Sequence, residues 1–211
     1  MTTVPISKRA ALIVCGGESR RMGRAKPHLP FGNETMLARV VRIVFPTVDE
    51  VVLLTAKTQE LPELLYDYSE LPDRVEQQGP AAALYEGMKS VAGWAEAVVV
   101  LGCDLPLVTE ETIEFLFAQL QNYEAVIPRF EGLPQPLAAV YSVLALEKLE
   151  NVLYSGNQRL LSCIEPLDTN WVDLRELQAV DPRLGILHNV NTPEAYRDAL
   201  AIAGLRHPLE E

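Results

Sequence analysis

Apolar residues form unbroken runs in some stretches of the chain and recur at helical spacing in others. The runs are AALIVC (10–15), EVVLLT (50–55), AEAVVVLG (95–102), YEAVIP (123–128) and PLAAVY (136–141), with WVDL (171–174) a weaker candidate. Runs of this length rich in Val, Ile and Leu predict strands, and continuous apolarity in the first three predicts burial on both faces of a sheet. Between them the spacing predicts helices over 35–44, 60–68, 80–91, 110–120 and 142–153. A final helix is predicted over 193–202, with Thr192 as its N-cap and Pro193 at the first helical position. Strands alternating with helices predict an α/β fold, a three-layer α/β/α sandwich with a Rossmann-like, mainly parallel sheet. There is no internal repeat, low-complexity tract or Gly/Ser/Pro linker, so residues 1–211 read as one domain.

Composition narrows the function. The chain is 48% hydrophobic and 22% charged, the profile of a soluble globular protein, and no apolar run nears the roughly 20 residues of a membrane span. The opening MTTVPISKRAALIVCGG sets basic residues before an apolar run, but that run is shorter than the ~7–15 residues of a signal peptide's core and ends in Gly-Gly. Cys15, Cys103 and Cys163 contain no Cys-x-x-Cys and read as reduced packing residues of a cytoplasmic protein. His28, His188 and His207 form no ligand pair. A net charge of −11 argues against a nucleic-acid surface. Its distribution is uneven: six basic residues and one acidic residue lie from Lys8 to His28, leaving 12 basic and 28 acidic residues elsewhere. A local positive pocket on an acidic protein suits a small polyanion.

In open α/β sheets ligands bind beyond the carboxyl ends of the strands, and the loops expected there carry the candidate chemistry. CGGESRRMGRAK (15–26) is neither a P-loop nor a dinucleotide fingerprint. It still has the parts of a phosphate site: Gly16 and Gly17 to bring backbone N–H groups close, then Arg20, Arg21 and Lys26 as donors. In VVVLGCDLP, Asp104 ends an apolar strand; it either holds a hard cation such as Mg²⁺ or caps the turn before the next helix. Gly79-Pro80 opens a helix whose N-terminus favours anions, with Asp73 shortly before it as a site carboxylate or a solvated one. Asn189 and Asn191, in HNVNTPE, either meet a polar ligand or belong to a turn and helix cap.

With these elements in order, the sequence resembles the molybdenum cofactor guanylyltransferases, nucleotidyltransferases of the nucleoside-diphospho-sugar type. That family's Leu-Ala-Gly-Gly-x-x-x-Arg-Met-Gly is similar to Val14-Cys15-Gly16-Gly17-Glu18-Ser19-Arg20-Arg21-Met22-Gly23, followed by Lys26. Its Asp with Gly-Pro-Leu-Ala-Gly resembles Asp73 with GPAAAL, its Cys-Asp-x-Pro is Cys103-Asp104-Leu105-Pro106, and its Asn-x-Asn-Thr-Pro-Glu is Asn189 to Glu194. The resemblance implies GMP transfer from GTP to the terminal phosphate of molybdopterin, with pyrophosphate released and Mg²⁺ as cofactor. By the same resemblance Val14, Cys15, Gly16, Gly17 and Asp73 contact nucleotide. Arg21 and Lys26, with Arg20, neutralise the triphosphate, and Asp104 holds the metal. Asn189 and Asn191 face the pterin, and proteins that deliver or accept the cofactor are the implied macromolecular partners. CTP, a sugar or lactyl phosphate acceptor, and a catalytically silent nucleotide binder remain as alternatives. Where guanylyl enzymes carry an asparagine after the second strand, an ungapped alignment places Leu54, which would pack beside the purine.

Overall fold

The computed structural model of the chain describes residues 6–15, 25–73, 79–156 and 158–206. Its strands are β1 (Arg9–Val14), β2 (Pro30–Phe31), β3 (Glu34–Thr35), β4 (Glu50–Thr55), β5 (Ser69–Pro72), β6 (Ala97–Gly102), β7 (Ala125–Phe130), β8 (Leu133–Pro134), β9 (Ala138–Ser142) and β10 (Thr169–Val172). Its helices are α1 (Met36–Val44), α2 (Gly79–Val91), α3 (Glu110–Leu120), α4 (Leu146–Tyr154), α5 (Leu160–Ile164), α6 (Leu174–Val180) and α7 (Pro193–Ile202).

The most apolar strands lie at the centre of the sheet. Ala10 to Ile13 of β1 and Ala97 to Leu101 of β6 are fully buried, since helices cover both faces. The strand order is β10-β7-β9-β6-β1-β4-β5, with β8 paired on β7. Along this order neighbours run parallel except around β9, which is antiparallel to β6 and β7; the β7–β8 pair is antiparallel as well. Alternate residues serve opposite layers. Ile13, Leu53 and Val99 pack with α1, α3 and α6, while Leu12, Val52 and Val100 pack with α2, α4 and α5. Each fully buried Leu, Val or Ile contributes about 1.5–3 kcal/mol of transfer free energy, so these layers supply most of the stabilisation. The three-layer, mainly parallel α/β sandwich is as expected from the sequence.

Two features of this topology create the site. After β1 the chain moves outward to β4 and β5, then returns across β1 to form β6. Strand order therefore reverses at β1, the kind of switch point at which open α/β sheets leave a crevice beyond the carboxyl ends of their strands. A third, smaller core then ties the C-terminal region to that crevice. Tyr196, Ala199 and Leu200 of α7 pack with Val190, Leu107, Leu29, Phe31 and Met36.

The helix expected over 60–68 does not form. Residues 60–68 are irregular; Leu61, Leu64 and Tyr66 bury against the first core while Leu65 is 93% exposed. Pro62 lacks an N–H, and the Tyr66-Asp67-Tyr68 sequence is poor in helix formers, so packing wins over periodicity. The helix expected over 142–153 begins as a 3₁₀ turn over Val143–Ala145 before α4. WVDL divides between two elements: β10 ends at Val172, and Asp173 caps α6 in a capping box with Glu176.

Candidate functional site

At the end of β1, parallel pairing continues one residue past the strand on both sides. The Cys15 N–H donates to the Leu54 carbonyl at 2.8 Å, and the Cys103 N–H donates to the Val14 carbonyl at 3.0 Å. Val14 and Cys15 thus present rigid backbone at the switch point. The Cys103 thiol is pushed well up, first by its hydrogen bond to the Cys15 side chain and then by burial. It stays protonated and packs, although it adjoins Asp104.

Asp104 stands on a tight turn in which the Leu105 N–H donates to the Gly102 carbonyl at 3.2 Å. Its carboxylate folds back over Gly102, where a Cβ would lie 2.3 Å from Asp104 Oδ1. Only glycine leaves the carboxylate room in that position. Asp104 stands on the turn before α3, while the cap of α3 itself is Thr109, which accepts from the Thr112 N–H at 3.2 Å. From α1, Arg39 Nε donates to the Pro106 carbonyl at 2.6 Å and braces the same loop. Glu34 in turn holds Arg39 and Arg42 at 3.3 and 2.8 Å. Burial pushes the Glu34 carboxyl up, but the two arginines outweigh it and the group titrates below its ordinary range.

Lys26 reaches Asp104 from a different element. It opens a 3₁₀ turn over Lys26–His28 with Pro27 buried beneath, and the Leu29 N–H returns to the Lys26 carbonyl at 3.1 Å. His28 Nε2 lies 3.0 Å from the Glu60 carbonyl and ties the turn to the irregular 60–68 segment. The Lys26 ammonium donates to Asp104 Oδ2 at 2.7 Å, and both side chains are under one-fifth exposed. It also donates to Asn191 Oδ1. Residues 78 and 165 positions apart in sequence from Lys26 thus meet at one ammonium group.

The other candidates are less closely gathered. The Asp73 N–H donates to the Thr55 carbonyl at 2.7 Å, which places Asp73 at the carboxyl edge of the sheet beyond β4. Asn189 is exposed, and its N–H donates to the Leu187 carbonyl at 3.2 Å. Thr192, not either asparagine, caps α7, accepting from the Ala195 N–H at 3.1 Å. Gly16, Gly17, Arg20 and Arg21 lie outside the described residues.

Leu54 corrects one expectation. Its side chain is 4% exposed in the second core, so close to α2 that a Cβ on Gly87 would sit 3.1 Å from it. It points under the helix and cannot pack beside a base. The sequence reading also missed Gln59, whose Nε2 donates to the Cys15 carbonyl at 2.8 Å while its Oε1 accepts from the Ala56 N–H at 3.0 Å. Nothing marks Gln59 in the sequence. Gly102 did carry a signal, as a glycine between an apolar strand and Asp104.

Among the described residues no three His, Cys, Asp or Glu side chains are grouped to cage a metal. Asp104 is a single hard oxygen donor, a donor set suited to Mg²⁺, which is commonly held by one or two carboxylates together with substrate phosphates. A model of the MobA-like NTP transferase domain matches residues 11–170, which include Lys26, Asp73 and Asp104. The chain belongs to this family. It is a nucleotidyltransferase. It is 31% identical over 199 residues to the "Probable molybdenum cofactor guanylyltransferase" of Methanosarcina mazei, covering 89% of this chain and 88% of that one. A protein of the same name from Mycolicibacterium paratuberculosis is 33% identical over 199 residues, covering 92% and 95%. The fold is similar to that of molybdopterin-guanine dinucleotide biosynthesis protein A from Archaeoglobus fulgidus, with TM-score 0.74, 22% identity and 92% and 98% coverage. Among the described residues no helix is long and apolar enough to cross a membrane.

Proposed function

We propose that this nucleotidyltransferase moves GMP from GTP onto the terminal phosphate of molybdopterin. The observation that carries the reading is the Lys26–Asp104 pair, at 2.7 Å, set at the switch point of the sheet. A cationic donor beside a carboxylate at that point supports a role for both on a triphosphate. The relatives' names supply the guanine and pterin assignments.

A phosphate oxygen of the acceptor forms a bond to the α-phosphorus of GTP. The bond from that phosphorus to the oxygen bridging to the β-phosphorus breaks, and its electron pair leaves with pyrophosphate. The acceptor phosphate is already ionised, so no general base is needed. The work of the protein is alignment and charge neutralisation. Lys26 donates to the triphosphate, as do Arg21 and Arg20 in the proposed assignment, while the Gly16 and Gly17 N–H groups cradle it. Val14 and Cys15 offer backbone to the nucleotide, and Asp73 contacts it from beyond β4. Asn189 lies on the acceptor side. Asp104 would hold Mg²⁺, which supplies charge neutralisation on the phosphates when bound. We place the protein in the cytoplasm on the basis of its three buried, free cysteines.

The decisive experiment incubates the protein with GTP, Mg²⁺ and molybdopterin and follows pyrophosphate and the mass of the product. Guanylylated pterin is expected, and Asp104→Asn should remain folded while metal-dependent turnover falls about a hundredfold or more. Turnover of Asp104→Asn at the wild-type rate would remove the metal role. Melting curves with each nucleoside triphosphate and Mg²⁺ test the base without pterin. At a hundredfold excess over Kd the preferred nucleotide stabilises the fold by about 2.7 kcal/mol. GTP should give the largest shift; a dominant CTP shift would reassign the nucleotide.

A further inference from the structure

Lys26 and a divalent cation have claims on the same carboxylate, because the ammonium already sits 2.7 Å from Asp104 Oδ2. An ammonium and a divalent cation that share one carboxylate repel each other and divide its charge. Were Asp104 to hold a metal ion, its pull on Lys26 would therefore weaken. Its flexible four-carbon stem would then need its other acceptors to keep the charge in the site.

Asn191 is built to do this. Its amide oxygen already accepts from the Lys26 ammonium. Being neutral, it does not compete with phosphate oxygens for the lysine's charge, as a second carboxylate would. Its backbone is fixed on both sides. Val190 is fully buried in the third core and its N–H donates to the Asp104 carbonyl at 2.9 Å, while Thr192 caps α7. The Tyr196 hydroxyl of α7 donates to the Pro30 carbonyl, four residues after Lys26. The same C-terminal segment is thus anchored both to the Asp104 loop and next to the Lys26 turn. Asn191 lies beyond residues 11–170, the part of the chain matched by the family model.

We infer that Asn191 is a positioning residue: it holds the Lys26 ammonium in the site when Asp104 engages a cation, and so directs it to the triphosphate. The inference rests on the nucleotidyl-transfer reading above. It differs from the pterin contact that the sequence resemblance implies for Asn191.

The test is a double-mutant cycle on nucleotide binding, with no pterin present. GTP affinity in Mg²⁺ is measured by calorimetry for the full chain, for Asn191→Ala, for Lys26→Met and for the double variant. Asn191→Ala should weaken GTP binding about tenfold in the wild-type background and less than about twofold once Lys26 is Met, as expected of contacting partners. Asn191→Leu, close in volume but without an acceptor, should behave like Asn191→Ala and serves if the alanine variant loses its fold. Unchanged GTP affinity in either variant would overturn the inference, as would equal losses in both lysine backgrounds. A raised KM for molybdopterin with GTP affinity untouched would also overturn it and make Asn191 an acceptor contact. Failure of the wild-type chain itself to bind any nucleoside triphosphate would instead remove the proposed function on which the inference stands.

Discussion

The two strands that flank β1 end in opposite ways. β6 runs out into Gly102-Cys103-Asp104, where a carboxylate is pushed into the crevice over a glycine and held by Lys26. β4 runs out into Leu54-Thr55-Ala56, where Leu54, in register with Gly102, is sealed beneath α2. Both strands are paired to β1 in parallel, and both are buried to their last residue. On the β6 side, charge is concentrated and its position fixed. On the β4 side charge is sparser: the Thr55 carbonyl accepts from the Asp73 N–H, and the neutral Gln59 amide is clamped on Cys15. In this division chemistry belongs to β6, while β4 shapes the wall.

The largest effect should come from forcing a polar group onto the β4 end. Leu54→Asn places the asparagine of guanylyl relatives at the aligned position, but here it would be buried without partners. Lost apolar burial and an unsatisfied amide together should cost about 3–4 kcal/mol, read by urea denaturation. The order of preference among nucleotides should not change. A stable Leu54→Asn variant with tighter GTP binding would break the comparison, because β4 would then read the base directly.

The matching change on β6 is smaller in stability and larger in turnover. Gly102→Ala would place a methyl group 2.3 Å from Asp104 Oδ1 and drive the carboxylate off its seat. A displacement near 1 Å in such a site costs on the order of a hundredfold in rate, about 2.7 kcal/mol in the barrier. Circular dichroism and melting should show a folded protein, whereas steady-state turnover should fall by about that factor. Wild-type turnover in Gly102→Ala would mean that the carboxylate's seat has no bearing on the chemistry.

How much of this was legible beforehand depended on whether a residue acts through its neighbours in sequence or through the fold. The runs 10–15, 50–55 and 95–102 gave β1, β4 and β6 within two residues, because strands buried on both faces must be apolar throughout. Thr192-Pro193 located α7 because capping is local. β5 escaped because Ser69–Pro72 is an edge strand, mostly exposed and without an apolar signature. The site divided in the same way. Lys26 and Asp104 were readable from their motifs, but nothing local indicates that Asn191 meets Lys26 across 165 positions. Leu54 was misplaced because an ungapped alignment assigns a position in the chain and says nothing about the face on which a side chain lies. In a strand, a shift of one residue exchanges crevice for core.

The smallest effect, and the sharpest test of the division, concerns Gln59. Its amide bridges the Ala56 N–H and the Cys15 carbonyl, so it stiffens the wall between β4 and the end of β1 without offering a charge. Gln59→Ala should loosen that wall by about 1 kcal/mol, the net worth of an ordinary hydrogen bond. Since the bridge is made equally in the ground state and the transition state, its loss should appear in KM for GTP, about fivefold, with kcat nearly unchanged. A drop in kcat comparable with that of Gly102→Ala would mean that the Cys15 carbonyl is held for the reaction itself. The β4 edge would then be part of the catalytic apparatus, and the contrast with β6 would be one of charge alone.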